Sequence, residues 1–215
     1  MLPIILKLKL ATTAAVGLAA SASPVPVPVQ ALVMVAVERA AAPVEVKLFD
    51  ENLRINATVG IRRDGTMDDV TAAEVKHLFR CRQTNRERPI ARRTLAMLAD
   101  LAEKYESRTI ELVSAYRVQR GESPTSPHRD ARAIDFRIRG IQLRELRDYL
   151  WRTYTEVGIG WYPSEQFIHM DSRPAMNDTA WTFLGGDNHY HPYWAEVARK
   201  PVAVPATLRG HRPGV

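Results

Sequence analysis

Short stretches with the apolar and polar spacing of β-strands recur along most of the chain. They cover residues 44–49, 53–59, 109–113, 133–138, 157–162 and 167–171. The first two flank Asp50-Glu51-Asn52, which predicts a β-hairpin. The last two are separated by a Pro-Ser turn, which predicts a second pair of adjacent strands.

Three segments carry the spacing of helices instead. Thr71 with Glu74 forms a capping-box pattern and predicts a helix that ends near residue 80. Pro89 predicts the start of a second helix, and residues 143–154 form a third with apolar residues on one face. From Trp181 onward we expect aromatic but irregular structure. Because helices come first and short strands follow, we predict an α+β fold with a small central antiparallel sheet flanked by helices.

Both ends of the chain differ in composition from this patterned region. Residues 1–22 combine Lys7 and Lys9 with a short apolar stretch and an Ala20-Ser21-Ala22 cleavage pattern, which predicts a secretory signal peptide. The alternative is an uncleaved membrane anchor. Alternating Pro and Val predict an extended linker next. The expected division is therefore signal peptide 1–22, linker 23–43, domain 44–200 and flexible tail 201–215.

Composition excludes several classes of protein. The 215 residues are 46% hydrophobic and 25% charged, which is typical of a globular domain and not of a disordered, collagen-like or coiled-coil chain. Cys81 is the single cysteine, so an internal disulfide or a cysteine-rich zinc site is excluded. A formal charge of +6 is modest. The basic stretch 80–93 is interrupted by Glu87 and is interpreted as a solvated face, so no nucleic-acid partner is expected.

Two histidines and one aspartate lie in or beside apolar strands. Asp135 is flanked by Ile134 and Phe136, and His169 lies between Ile168 and Met170, while His128 precedes the strand of Asp135. A buried carboxylate is costly unless it is paired or binds a metal. Two histidines and one carboxylate match a catalytic zinc site with one open position. Hydrogen-bonded core residues are the alternative on spacing alone.

Four motifs strengthen the zinc hypothesis by occurring in order. They are Ser114-Ala115-Tyr116-Arg117, the segment from Ser126-Pro127-His128 to Asp135, Gly158-Ile159-Gly160-Trp161-Tyr162-Pro163, and Phe167-Ile168-His169-Met170-Asp171. Together they resemble the zinc D-alanyl-D-alanine peptidase superfamily, specifically the branch that includes murein endopeptidase K. The resemblance covers roughly residues 45–195.

The resemblance implies a role for each matching residue. His128, Asp135 and His169 would hold Zn²⁺ on the sheet, as in hedgehog and D-Ala-D-Ala peptidases. Arg117 would stabilise the oxyanion that develops on the substrate carbonyl. Ser126 is expected to orient the loop of His128. Tyr116 is a weaker candidate for the substrate site, because packing is its more common role.

The motif also departs from the family at two small residues. Ala131 and Ala115 stand where the family has glycine. A methyl group at position 131 is expected only with a negative φ or with a rearranged turn.

The catalytic base is not determined by the motifs. Many relatives have an acid three residues before the last zinc histidine, where this chain has Gln166. Asp171 follows His169 by two residues in a strand, so it shares its face and is the preferred base. Glu165 is the alternative. Asp171 would also fit a role in orienting a ligand histidine.

Aromatic residues and a further histidine pair surround these motifs. Trp161 and Tyr162 are candidates for stacking against substrate, as is Trp181, whereas Trp194 is assigned to the core. The His189-Tyr190-His191 segment is interpreted as a polar surface loop and not as a metal site.

These observations support a zinc metallopeptidase that cleaves peptidoglycan cross-links in the bacterial periplasm or envelope. A carboxypeptidase acting on stem peptides is the nearest alternative. The lack of an acid at Gln166 keeps open a non-catalytic peptidoglycan-binding protein. We expect a monomer whose partner is peptidoglycan, with no stable membrane span after cleavage.

Overall fold

A computed structural model describes residues 42–174 and 177–199. The described strands are β1 (Val44–Asp50), β2 (Ile55–Ile61), β3 (Ile110–Ser114), β4 (Ala133–Ile138), β5 (Val157–Tyr162), β6 (Phe167–Ser172), β7 (Thr179–Leu184) and β8 (Asp187–Tyr190). The described helices are α1 (Asp69–Leu78), α2 (Arg92–Lys104), α3 (Leu143–Thr153) and α4 (Tyr193–Ala198). The proposed signal peptide, the tail and nearly all of the linker lie outside these residues.

The described strands form one mixed sheet with the order β2-β1-β3-β4-β6-β5-β7-β8. The β1–β3 and β5–β7 pairs are parallel, and the other neighbouring pairs are antiparallel. The α+β class is confirmed, but the small antiparallel sheet was wrong. The pattern within one strand reports which side is buried and not which strand lies beside it, so the two parallel neighbours could not be inferred.

The region after Trp181 is regular and not irregular as predicted. Strands β7 and β8 form an antiparallel hairpin, and α4 follows. Gly185 and Gly186 occupy its turn with φ of +62° and +96°, a conformation that glycine adopts without strain. The Gly-Gly pair between aromatic residues is therefore a hairpin signal.

Two helices begin at residues other than the predicted ones. The N-cap of α1 is Asp68, whose carboxylate accepts hydrogen bonds from the amide and hydroxyl of Thr71, both at 2.9 Å. Aspartate and threonine are both good N-cap residues. Asp68 comes first in the sequence and caps the helix, so the helix begins before the Thr71 capping-box pattern. Helix α2 begins at Arg92, so Pro89 lies outside it.

The hydrophobic core lies between one face of the sheet and helices α2 and α3. In β4, Ile134, Phe136 and Ile138 are buried in this core. Because side chains alternate along a strand, Asp135 and Arg137 point to the opposite face. That face carries the polar residues singled out above. Within the described part of the chain, no helix is both long and apolar enough to cross a membrane.

Candidate metal centre and its surroundings

Three buried side chains converge on the sheet face opposite the helices. Asp135 of β4 and His169 of β6 are cross-strand partners, so their side chains meet on one face. The loop before β4 adds His128. His169 Nδ1 lies 2.9 Å from Asp135 Oδ1 and 3.1 Å from His128 Nε2, and His128 Nε2 lies 3.3 Å from the same oxygen. The structure thus brings together the three residues that the sequence predicted as metal ligands.

Each histidine is oriented by a contact at its other nitrogen. His128 Nδ1 lies 2.5 Å from the Ala115 carbonyl oxygen, so this nitrogen donates and Nε2 faces the cluster as an acceptor. His169 Nε2 lies 3.1 Å from Asp171 Oδ2, which leaves Nδ1 towards Asp135. Metal-binding histidines are held in this way by outer hydrogen bonds.

The donor set fits a zinc ion in both chemistry and spacing. Ligands about 2.1 Å from a tetrahedral ion lie about 3.4 Å from one another. The three facing atoms here are 2.9–3.3 Å apart, so an outward shift of a few tenths of an ångström is sufficient. Among the described residues, these three form a group of side chains able to hold a metal ion.

The charges of the cluster stabilise one another. Burial alone would raise the pKa of Asp135, but contacts with His128 and His169 lower it well below its ordinary value. Burial alone would lower the pKa of His169, but hydrogen bonds with Asp135 and Asp171 raise it to about 9. Since a histidine ligand must be neutral, His169 would have to lose the proton on Nδ1 in order to hold a metal ion there.

Arg117 connects the cluster to a residue that the sequence did not single out. Its Nη1 donates to Asp135 Oδ2 at 2.8 Å and to Ser114 Oγ at 3.3 Å. Its Nε lies 2.9 Å from Glu122 Oε2. Glu122 is the one acid between Arg117 and His128 in the sequence, and this is the signal that could have identified it.

Asp171 lies behind His169 and not in front of the cluster. It is fully buried and is held by Arg173, whose Nε donates to Oδ1 at 3.0 Å, with Arg132 at 3.5 Å. Burial would raise the pKa of Asp171, but the hydrogen bond with His169 lowers it. A Cβ at Gly158 would lie 2.1 Å from Oδ2, so the glycine provides the space that this carboxylate occupies. The position favours the orienting role over that of a base.

Glu165 and Gln166 lie in the turn between β5 and β6. Both are exposed. The Gln166 side chain donates to the Pro163 carbonyl, and the Gln166 backbone carbonyl accepts from Arg137 Nη1 at 3.1 Å. The position that carries an acid in many relatives is therefore used here to close a turn.

An aromatic wall borders the cluster on the β5–β7 side. Gly160 is the cross-strand partner of both His169 and Trp181, and a Cβ there would lie 2.5 Å from the Trp181 ring. That ring lies 5.0 Å from the His169 ring, and its Nε1 donates to the Tyr162 hydroxyl at 3.2 Å. Tyr162 stacks on Phe167 with centroids 4.4 Å apart. Trp181 is thus beside the cluster and Tyr162 is next to Trp181, while stacking against substrate stays a prediction for both.

Three other residues predicted for the substrate site do not present their side chains to the cluster in the contacts of the described residues. Trp161 points to the helix face, where the Arg147 guanidinium lies 4.5 Å from its ring centroid. Tyr116 is part of the hydrophobic core. The Ser126 carbonyl accepts from the Arg129 amide at 3.0 Å, which closes the turn around His128.

Ala131 and the second histidine pair also differ from expectation. Ala131 has a positive φ of +52° although it is not glycine. Of the two expected alternatives, the negative φ is therefore wrong, and the left-handed backbone is retained at some cost. His189 lies on strand β8 and not in a loop. His189 and His191 are exposed and outside the cluster.

Comparisons with a family model and with curated proteins indicate the same family. A sequence model of the family described as peptidoglycan L,D-endopeptidase MepK matches residues 38–177, which is more than half of the chain. The chain is 30% identical over 116 residues to the peptidoglycan L,D-endopeptidase MepK of Escherichia coli (strain K12), which covers 49% of the chain and 63% of that relative. The chain is 38% identical over 58 residues to a probable peptidoglycan L,D-endopeptidase MepK of Haemophilus influenzae, which covers 27% of the chain and 31% of that relative.

The chain thus spans less than two thirds of these curated relatives. No solved structure matches it at a significant level.

Proposed function

Because the chain belongs to the family described as peptidoglycan L,D-endopeptidase MepK, we propose that it is a zinc-dependent peptidase that cleaves peptide cross-links of peptidoglycan. The observation that carries this proposal is the convergence of His128, Asp135 and His169, with each histidine turned towards the carboxylate by an outer hydrogen bond. The family also places the chain in the zinc D-alanyl-D-alanine peptidase superfamily.

His128 Nε2, Asp135 Oδ1 and His169 Nδ1 are the atoms that would hold the ion. Zinc in such a set supplies a Lewis acid that activates water and polarises a carbonyl. The protein's part is to keep these three atoms aligned in a buried site. Asp171 holds the ring of His169, and the Ala115 carbonyl holds the ring of His128.

Arg117 is placed to stabilise negative charge on the substrate. Its Nη1 donates a hydrogen bond to Asp135, its Nε lies at ion-pair distance from Glu122, and 30% of its side chain stays exposed. An arginine has five N–H donors, so donors remain for a substrate oxygen. A fixed cation near a developing oxyanion lowers the barrier to amide hydrolysis.

The proton acceptor is proposed from three acids, which are Asp171, Glu165 and Glu122. Asp171 is buried behind His169, so the exposed Glu165 becomes the stronger of the two predicted bases. Glu122 is a third acid, but its partner Arg117 occupies it. Once protonated, the base would return the proton to the leaving amine.

A non-catalytic peptidoglycan-binding protein is the second candidate. The observation that favours it is the Gln166 side chain, which is bonded to the Pro163 carbonyl in a turn and not directed at the cluster. Such a protein would keep the metal ligands but lack turnover.

The export prediction belongs to the same proposal. Residues 1–22 would direct the chain out of the cytoplasm, and the positive charge would favour attraction to an anionic wall. Cleavage of this segment in an expressing bacterium, measured by mass spectrometry of the recovered protein, tests it.

The primary test is the metal content of the purified chain and of His169→Ala. We expect about one zinc per wild-type chain and loss of zinc in the variant. Wild-type protein should then release soluble peptides from purified peptidoglycan, and a chelator should stop the release. Failure to take up zinc would contradict the peptidase, while zinc uptake without peptide release would support the binding protein.

A further inference from the structure

A second cavity is bordered by Arg137 of β4, which lies two residues, or about 7 Å along the strand, from Asp135 of the cluster. It has a volume of about 610 Å³ and is bordered by Arg137, Arg139, Arg144, Glu111, Trp161 and Gln166. Arg137 follows Asp135 by two residues and therefore shares its face. The cavity is thus within reach of a peptide bound at the cluster.

The arginines of this cavity are only partly neutralised. Arg137 pairs with Glu51 and with Glu111, and Arg139 pairs with Glu111 at 2.8 Å. Arg144 has no acidic partner in the part of the chain that the structure describes, and its guanidinium lies 5.6 Å from the Trp161 ring centroid.

A further unpaired arginine borders the cavity at Gly140. A Cβ on this glycine would lie 2.7 Å from Arg108 Nη1, so the guanidinium is close to the cavity wall. Arg108 also lacks an acidic partner among residues 42–174 and 177–199. Four positive charges therefore face two negative ones, and the surplus is on Arg108 and Arg144.

One further donor, on a residue that borders the cavity, is also unpaired. The indole N–H of Trp161 is buried and has no hydrogen-bond acceptor within the described residues. Buried donors without acceptors cost free energy. Because Arg108 and Arg144 leave a surplus of positive charge beside the cavity, a ligand that brings negatively charged oxygen atoms would suit it better than a neutral or cationic one.

We propose that this cavity is a carboxylate-binding subsite that selects peptides with a free acidic group near the cleaved bond. The assignment to carboxylates rests on the proposed function, because a peptidoglycan stem peptide carries such groups. Arginine forks bind carboxylates through paired hydrogen bonds. Arg108 and Arg144 are specificity residues in this proposal and take no part in bond cleavage.

The test compares a soluble stem-peptide fragment that has free carboxylates with the same fragment amidated. Binding of each to the full chain is measured by calorimetry for wild type, the double variant Arg108→Gln/Arg144→Gln, and Arg152→Gln. Arg152 is the matched control, because it is an exposed arginine at the other end of α3 whose Nε donates to a backbone carbonyl.

We expect wild type and Arg152→Gln to bind the free acid about tenfold more tightly than the amide. The double variant should lose this preference and still bind the amide. Neither substitution removes an ion pair seen in the structure, so both variants should keep the wild-type melting temperature.

Three results would overturn the proposal. Equal binding of acid and amide by wild type is one, and a preference that survives in the double variant is another. Displacement of the peptide by inorganic phosphate at lower concentration than by acetate would assign the cavity to phosphate. Peptidoglycan digestion by wild type is measured in parallel, so loss of the proposed activity is distinguished from loss of the subsite.

Discussion

At the scale of single residues, the outer contacts of the two histidines distinguish the proposed metal ligands from the groups that support them. His169 faces Asp135 with Nδ1 and Asp171 with Nε2. The carboxylates of Asp135 and Asp171 both contact His169 but have different roles. Asp135 also contacts His128, whereas Asp171 accepts a hydrogen bond from Arg173.

Asp171→Asn is predicted to weaken zinc binding more than it impairs folding. Loss of an outer carboxylate typically lowers metal affinity about 10- to 100-fold. Zinc affinity is measured by competition with a chromophoric chelator. Glu165→Gln is the comparison and should leave this affinity unchanged while lowering turnover if Glu165 is the base. Full zinc affinity without turnover in Asp171→Asn would instead identify Asp171 as the base.

Arg117→Gln is predicted to keep zinc and lose turnover. Removal of one group that stabilises an oxyanion costs about 10²- to 10³-fold in kcat. The measurements are zinc content and kcat on a soluble cross-linked peptide. Glu122→Gln should have a smaller effect, since Glu122 only positions Arg117. Unchanged kcat in Arg117→Gln would contradict its role.

At the scale of elements, strand β5 makes room for the side chains of its neighbours. Its two glycines alternate along one face, where Gly158 borders Asp171 of β6 and Gly160 borders Trp181 of β7. A strand with larger residues at these positions would displace the groups that hold His169. The Gly-x-Gly motif is therefore explained by close packing and not by backbone flexibility.

Gly158→Ala is predicted to lower both stability and zinc affinity. The added methyl would overlap Asp171 and Arg173, and overpacking costs about 1–3 kcal/mol in the free energy of unfolding. Urea unfolding and zinc competition measure the two effects. Gly60→Ala is the control, because its Cβ would meet only Pro43 at 3.2 Å. Equal behaviour of the two variants would contradict this explanation.

At the scale of the whole molecule, the two faces of the mixed sheet differ in what they carry. The helices and the apolar side chains occupy one face and provide stability. The other face presents the cluster and the aromatic wall. The arginine-lined cavity is bordered by Arg137 from this face and by Trp161 from the helix face. Because a rigid sheet carries the proposed ligands Asp135 and His169, their spacing depends little on loop motion.

Zinc removal is predicted to lower the melting temperature of the chain. An ion present at 100 times its dissociation constant adds about 2.7 kcal/mol to the free energy of unfolding, which is about 5–10 °C for a domain of this size. Differential scanning calorimetry with and without chelator measures the shift. His128→Ala should show no zinc-dependent shift, whereas His77→Ala should keep it, since His77 is an exposed histidine paired with Glu87.

Sequence by itself determined the strands β4 and β5 to the residue, the α+β class and the family resemblance. It also singled out His128, Asp135 and His169, which the fold brings within 3.3 Å of one another. These features could be predicted because alternation and motif spacing are local properties of the chain. Zinc binding by these residues stays a prediction.

Only the tertiary structure decided the order of the strands, the placement of Asp171 behind His169, the partnership of Arg117 with Glu122, and the second cavity. Each depends on which side chains meet across distant parts of the chain. The same alternation pattern is compatible with many strand orders, because burial of one face does not specify a neighbour. The role of an acid near the cluster is therefore set by the side from which it approaches.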